Sequence, residues 1–126
     1  MTSVFKFTDK SACYSSSEAF LARVDPAIVD ADELLRSLYY LLWFPGYFGF
    51  NWNSLYDCLR DLNWIIEKKV VIVHESLPCI PDSDLCIYLG VLKDSILDWK
   101  DDETHQLEVF FHEKDKEMIE KLFLSC

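Results

Sequence analysis

Long apolar runs are missing from this chain: no segment of its 126 residues approaches the ~20 consecutive apolar positions that a bilayer-spanning helix needs. Internal repeats and low-complexity tracts are also missing, which sets aside solenoids and compositionally disordered chains. The three histidines, His74, His105 and His112, have no i,i+4 or HExxH spacing, and the five cysteines form an odd set without a CxxC pair. Neither a metal nor a disulfide framework is expected, and no cofactor is implied. The opening Met-Thr-Ser-Val-Phe-Lys-Phe-Thr lacks a signal-peptide apolar region, so a reduced, cytoplasmic setting is expected. Basic residues are in short supply, 12 against 22 acids, for a net charge of −10. That balance repels phosphate backbones and anionic lipid, so nucleic acid and membranes are not expected partners, whereas a cationic protein is favoured.

What the chain does have is the composition of a soluble globule, 51% hydrophobic and 27% charged, at the size of one domain spanning 1–126. Residues 3–7 alternate like a half-buried strand, and the serines at 15–17 read as a turn leading to a second strand over 19–24, so that a hairpin or two sequential strands are expected. Asp25-Pro26 stops that strand. Asp30 or Asp32 can cap a helix striped by Leu34, Leu35, Leu38, Leu41 and Leu42, which Pro45 ends near Phe44. Gly46 and Gly49 are then expected to bend the chain back.

Asn51 reads as the N-cap of a helix over about 52–62, with Trp52, Leu55, Cys58, Leu59 and Leu62 on the inner face and Asn53, Asp57 and Arg60 on the outer one. The β-branched run 69–73 reads as a central strand covered on both sides. A helix over about 84–99 follows, with Asp94, Asp98 and Asp101 along its polar face, then a strand over 107–111 and a helix over about 114–124. The order suggests an α/β fold, a small and mainly parallel sheet with helices packed on it.

The stretch from Trp43 to Trp64 concentrates the unusual residues: three of the four tryptophans and two of the three glycines. An aromatic Pro-Gly loop running into a short capped helix presents rigid rings beside polar groups, the mixture that protein recognition sites favour. The candidate partner-binding residues are Tyr47, Phe48, Gly49, Phe50, Asn51, Asn53, Tyr56, Asp57, Arg60 and Asp98. Within the loop Tyr47 is expected to face out and Phe48 in, because a phenol tolerates a wet rim.

The run Pro45-Gly-Tyr-Phe-Gly-Phe-Asn-Trp-Asn-Ser-Leu-Tyr-Asp-Cys-Leu59, between a leucine-striped helix and a strand, resembles the signature of the barstar family, intracellular inhibitors of the secreted ribonuclease barnase. The resemblance extends more loosely from Phe20 to Phe111. It implies a three-stranded parallel sheet, with the first strand and last helix as additions, and no enzymatic activity. It also implies that loop and helix plug a nuclease active site, with Asp57 standing where substrate phosphate would lie and Tyr47, Gly49 and Asn51 contributing loop contacts. The implied partner is a cognate nuclease toxin with a cationic site, and the free chain is expected to be a monomer. Asn53 departs from the pattern, which has an aspartate there, and Phe50 and Trp52 replace a Glu and a Leu. Those departures point to a nuclease other than the namesake's. The competing reading is an interaction module for a non-nuclease partner. A Cys58 nucleophile with His74 or His112 as its base is disfavoured, because Cys58 falls on the apolar helix face.

Overall fold

The computed structural model describes residues 4–9, 19–100 and 103–126. The expected turn at 15–17, Ser3 of the first strand and Asp101 of the acidic face lie outside these residues. The elements in chain order are β1 (Lys6–Thr8), β2 (Ala19–Val24), α1 (Ala31–Leu41), α2 (Trp52–Asp61), β3 (Lys69–His74), α3 (Asp82–Asp98), β4 (Gln106–His112), a 3-10 turn (Glu113–Asp115) and α4 (Lys116–Ser125).

Among the described residues the sheet has four strands in the order β1-β4-β3-β2, and every pairing is parallel. The α/β class, the parallel sheet and the added first strand are as expected, and that strand joins the sheet as its fourth member: Lys6, Phe7 and Thr8 pair with Phe110, Phe111 and His112. Of the two arrangements expected at the start, β1 and β2 are sequential strands on opposite edges and not a hairpin. Parallel neighbours need long crossovers, so a strand's partner can be remote in sequence, and local pattern carries no trace of that pairing.

β3 earns its central place by composition. Val70 and Ile72 point into the main core with Leu34, Leu38, Leu55, Leu59, Leu89 and Phe111, while Val71 and Val73 join a smaller cluster with Phe110 on the other face. A strand buried on both faces reads as continuous β-branched sequence for this reason. His74 closes the strand inside the protein. Its Nδ1 lies 3.0 Å from the Phe110 carbonyl, which fixes the proton on Nδ1, and its Nε2 accepts from the Tyr88 hydroxyl at 2.7 Å.

Bending of the Trp43–Trp64 stretch does not fall to glycine. Among the described residues the positive φ angles belong to Trp43 (57°), Phe50 (55°) and Leu62 (54°), and none to a glycine. Trp43 follows α1 as the left-handed residue of a Schellman closure, in which the Phe44 amide reaches back to the Tyr39 carbonyl at 3.1 Å and that of Leu42 to Leu38 at 3.0 Å. Glycine usually occupies that position, and a large side chain in the left-handed region costs on the order of 1–3 kcal/mol. Here it leaves the Trp43 indole 75% exposed.

The cysteines also depart from expectation: Cys86 on α3 is disulfide-bonded to Cys126 just past α4, with Cα atoms 6.1 Å apart. Spacing could not reveal this pair, because the bridge joins two helices brought together only by the fold.

Candidate functional site

α2 begins with a closed capping box. The Asn51 side chain accepts from the Ser54 amide at 2.8 Å, while Ser54 Oγ accepts from the Asn51 amide at 3.4 Å and from the Gly49 amide at 3.0 Å. One serine hydroxyl thereby ties the loop to the first turn of the helix. Gly49 is tight against this knot, since a Cβ there would lie 3.1 Å from Asn51 Nδ2. Asn51→Ala should destabilise the protein by about 1 kcal/mol and loosen the loop, as urea denaturation and amide exchange at Gly49 and Ser54 would show.

The loop is packed from within. Phe48 is 4% exposed and sits among Phe44 (4.8 Å between centroids), Phe50 (4.9 Å) and Tyr39 (6.1 Å). It faces inward as its place in the loop suggested, and as a member of the candidate contact set it needs correction: a ring closed in on all sides supports the surface and does not meet a partner. Phe50, 41% exposed, is backed by Tyr39 at 5.1 Å and by the Arg36 guanidinium at 5.6 Å. Tyr47 is 53% exposed, and its hydroxyl donates to Asp61 Oδ2 at 2.5 Å, clamping the loop to the last turn of α2. The phenol is held above its usual range, by desolvation first and then by Asp61.

At the far end of α2 the chain after α3 folds over it. The Trp99 indole N–H donates to the Leu59 carbonyl at 2.8 Å, and His105 Nε2–H donates to that of Ile65 at 2.8 Å. Trp64, half-buried beyond the helix, donates from its indole to Leu42 at 2.9 Å. The Tyr56 hydroxyl donates to Asp98, which raises the Tyr56 phenol above its ordinary range. Arg60 lies over the Trp99 ring at 4.3 Å and pairs with Glu103 at 3.4 Å, while its Nη1 is buried with no hydrogen-bond partner among the described residues. Glu103 is held below the usual carboxylate range, first by the Lys100 backbone amide and then by Arg60.

The candidate residues therefore fall into three groups. Tyr47, Gly49, Phe50, Asn51, Asn53 and Asp57 are exposed along one loop-and-helix ridge. Tyr56, Arg60 and Asp98 are half-buried and engaged with one another's neighbours, and Phe48 is core. Asp57 stands apart from the other acids here: Asp61 is taken by Tyr47, Asp98 by Tyr56 and Glu103 by Arg60, whereas the Asp57 carboxylate has no hydrogen bond or ion pair among the described residues. Sequence reasoning missed Asp61, Ser54, Trp99 and Glu103. Ser54 was within reach, as the third residue after an Asn N-cap, but the other three act through contacts that only the fold creates.

Cys58 is buried and its thiol is pushed up to about 11, chiefly by desolvation, with Tyr47 opposing and Asp61 and Asp57 adding to the rise. His74 is committed to Tyr88 and Phe110. Among the described residues no group of three His, Cys, Asp or Glu side chains could hold a metal, and no helix is long and apolar enough to cross a membrane.

The protein is thus an α/β one whose parallel sheet is flanked by a clamped aromatic loop, a capped helix and the Asp57 carboxylate, which has no partner among the described residues. Residues 20–112 match the family model described as Barstar (barnase inhibitor), and the chain belongs to that family, one of inhibitors and not of enzymes. No curated protein matches the chain. The match takes in β2 through β4 and leaves β1, the 3-10 turn and α4 outside it.

Proposed function

We propose that this protein is an immunity protein or antitoxin that neutralises a cognate ribonuclease toxin by occluding its active site. The observation that carries this reading is Asp57. A helix carboxylate without a partner among the described residues, on a ridge braced by the capping box and the Tyr47–Asp61 clamp, is a preformed anion. A cationic pocket shaped for phosphate accepts such a group through the same charge-assisted bonds. Rigidity matters because ordering costs at the interface are then met within the free protein. Net charge of −10 adds steering toward a basic enzyme.

The contact surface is the ridge formed by Tyr47, Gly49, Phe50, Asn51, Asn53 and Asp57, with Tyr56, Arg60 and Asp98 as its braced margin. Asn53 lies one turn before Asp57 and offers an amide where the family signature has a carboxylate. The cognate enzyme is therefore a ribonuclease whose cationic site is matched by one carboxylate on this helix, and it is met in the cytoplasm by a monomeric inhibitor. The test is to co-purify the partner from the native host, identify it by mass spectrometry and titrate its RNA cleavage with the purified chain. Loss of activity at a one-to-one ratio supports the proposal, and a partner that cleaves RNA at full rate under saturating inhibitor overturns it.

A further inference from the structure

The last fourteen residues carry a feature that inhibition does not use. α4 is ten residues long, shorter than the ~12–15 that an isolated helix needs to persist in water. It buries only Ile119 and Leu122, and adds half-buried Phe123, which stacks on Phe5 at 6.0 Å. Phe5 in turn sets its edge on Phe111 at 5.1 Å, so β1 and α4 cover the same side of β4. At its C-terminal end α4 is fastened to α3 by the Cys86–Cys126 bridge, which spans 40 residues of chain. Both the bridge's Cys126 and the helix lie outside the residues matched by the family.

We propose that Cys86 and Cys126 are a reversible thiol–disulfide site, served by small thiols and disulfides of the glutathione class, whose oxidation state decides whether α4 stays locked onto α3. Cys126 is exposed and Cys86 half-buried, so the accessible sulfur is that of Cys126. A small thiolate attacks Cys126 Sγ, the protein S–S bond breaks, and its electron pair leaves on Cys86 Sγ, which takes a proton from water. A second small thiolate attacks the small-molecule sulfur of the mixed disulfide and releases the Cys126 thiolate. The protein disulfide is reduced to two thiols while two small thiols are oxidised to one disulfide. The Leu122 carbonyl, 3.9 Å from Cys86 Sγ, is in place to accept from the Cys86 thiol. Of the remaining described cysteines Cys58 is buried, and exposed Cys79 is a free thiol that can take a mixed disulfide by itself, which peptide mapping distinguishes from the Cys86–Cys126 bridge.

Reduction leaves α4 on two buried side chains, the Phe123–Phe5 stack and the cation–π contacts of Lys93 with Phe123 and Lys116 with Phe7, and it opens more often. The recognition ridge is spared, because α3 meets α2 through a different set of contacts, Tyr56 with Asp98 and Tyr88 with Trp52. The site thus governs the durability of the chain and not its grip on a partner.

The test equilibrates the full chain in glutathione buffers of graded ratio, quenches with an alkylating agent and maps the peptides. The expected result is a Cys86–Cys126 bridged peptide that gives way to two alkylated cysteines as the buffer becomes reducing. With it should come a fall in Tm of about 10 °C and about tenfold faster tryptic cleavage at Lys116 and Lys121. Cys86→Ser and Cys126→Ser should each behave as the reduced chain in every buffer. Absence of the bridged peptide under fully oxidised glutathione overturns the proposal. So does equal cleavage at Lys116 and Lys121 in bridged and reduced chains.

Discussion

Replacing Asp57 by alanine is expected to weaken capture of the ribonuclease by about 2–5 kcal/mol, roughly thirty-fold to several-thousand-fold in Kd, a range to which the family's namesake pair itself contributes. The size follows from what is left behind. A cationic site that has given up its water to a carboxylate would, in the variant, face a methyl group with its positive charges desolvated and unpaired. Most of the change should appear as faster dissociation, since net charge and its steering are nearly unaltered. The control is Asp94→Ala, the same loss of charge from an exposed position on α3. Asp115 serves less well, because its carboxylate accepts from the Leu77 amide at 3.1 Å and its loss disturbs the fold. Equal and small losses for Asp57→Ala and Asp94→Ala, measured by surface binding kinetics, would sink the plug.

The second large effect is expected in acid. His74 is fully enclosed and its pKa is lowered from 6.5 to about 4, with desolvation as the main cause and the Phe110 carbonyl opposing it. Its folded-state pKa is depressed, so between about pH 6.5 and 4 the unfolded chain binds a proton that the folded one refuses. Stability therefore rises with pH through that window; the contribution of neutral His74 is full above about 6.5 and is lost as pH falls toward 4. At about 1.4 kcal/mol per unit, the loss is on the order of 3 kcal/mol. Carboxylates titrate in the lower part of the same window, so the measurement has to be a difference. Urea denaturation at pH 7 and 4.5 should show the wild type losing more stability than His74→Gln, which keeps a donor and an acceptor but cannot titrate. Parallel losses in the two proteins would remove His74 as the cause.

Local signals carried far into this fold. The leucine stripe of α1, the Asn51 cap, the inner and outer faces of α2 and the doubly covered β3 all rest on residues within a turn or two of one another, where spacing and side-chain chemistry suffice. The exposed ridge was legible for that reason, down to Tyr47 facing out and Phe48 facing in. Other features depend on what the fold brings together. Arg60 has the helical phase of a free surface cation, yet Trp99 and Glu103, some forty residues on, fold it back onto the protein. Asp98 has the pattern of a solvated face and is instead bonded to Tyr56. The positive φ angles at Trp43, Phe50 and Leu62 run against propensity, because helix closure and aromatic packing outweigh the local preference for glycine. The disulfide and the pairing of the first strand with β4 escaped for the same reason as Arg60.

That pairing also sets an order of events. Lys6–Thr8 is made more than a hundred residues ahead of its partner strand, Phe110–His112. During translation the first strand has nothing to pair with, while β2, β3 and the helices between them can already condense. Closing so long a loop carries an entropic cost that slows docking, so β1 is the last strand to be secured. Refolding experiments should find amide protection at Phe7 and Thr8 lagging behind that of Val70 and Ile72, and the nascent chain should hold its recognition ridge before its sheet is complete.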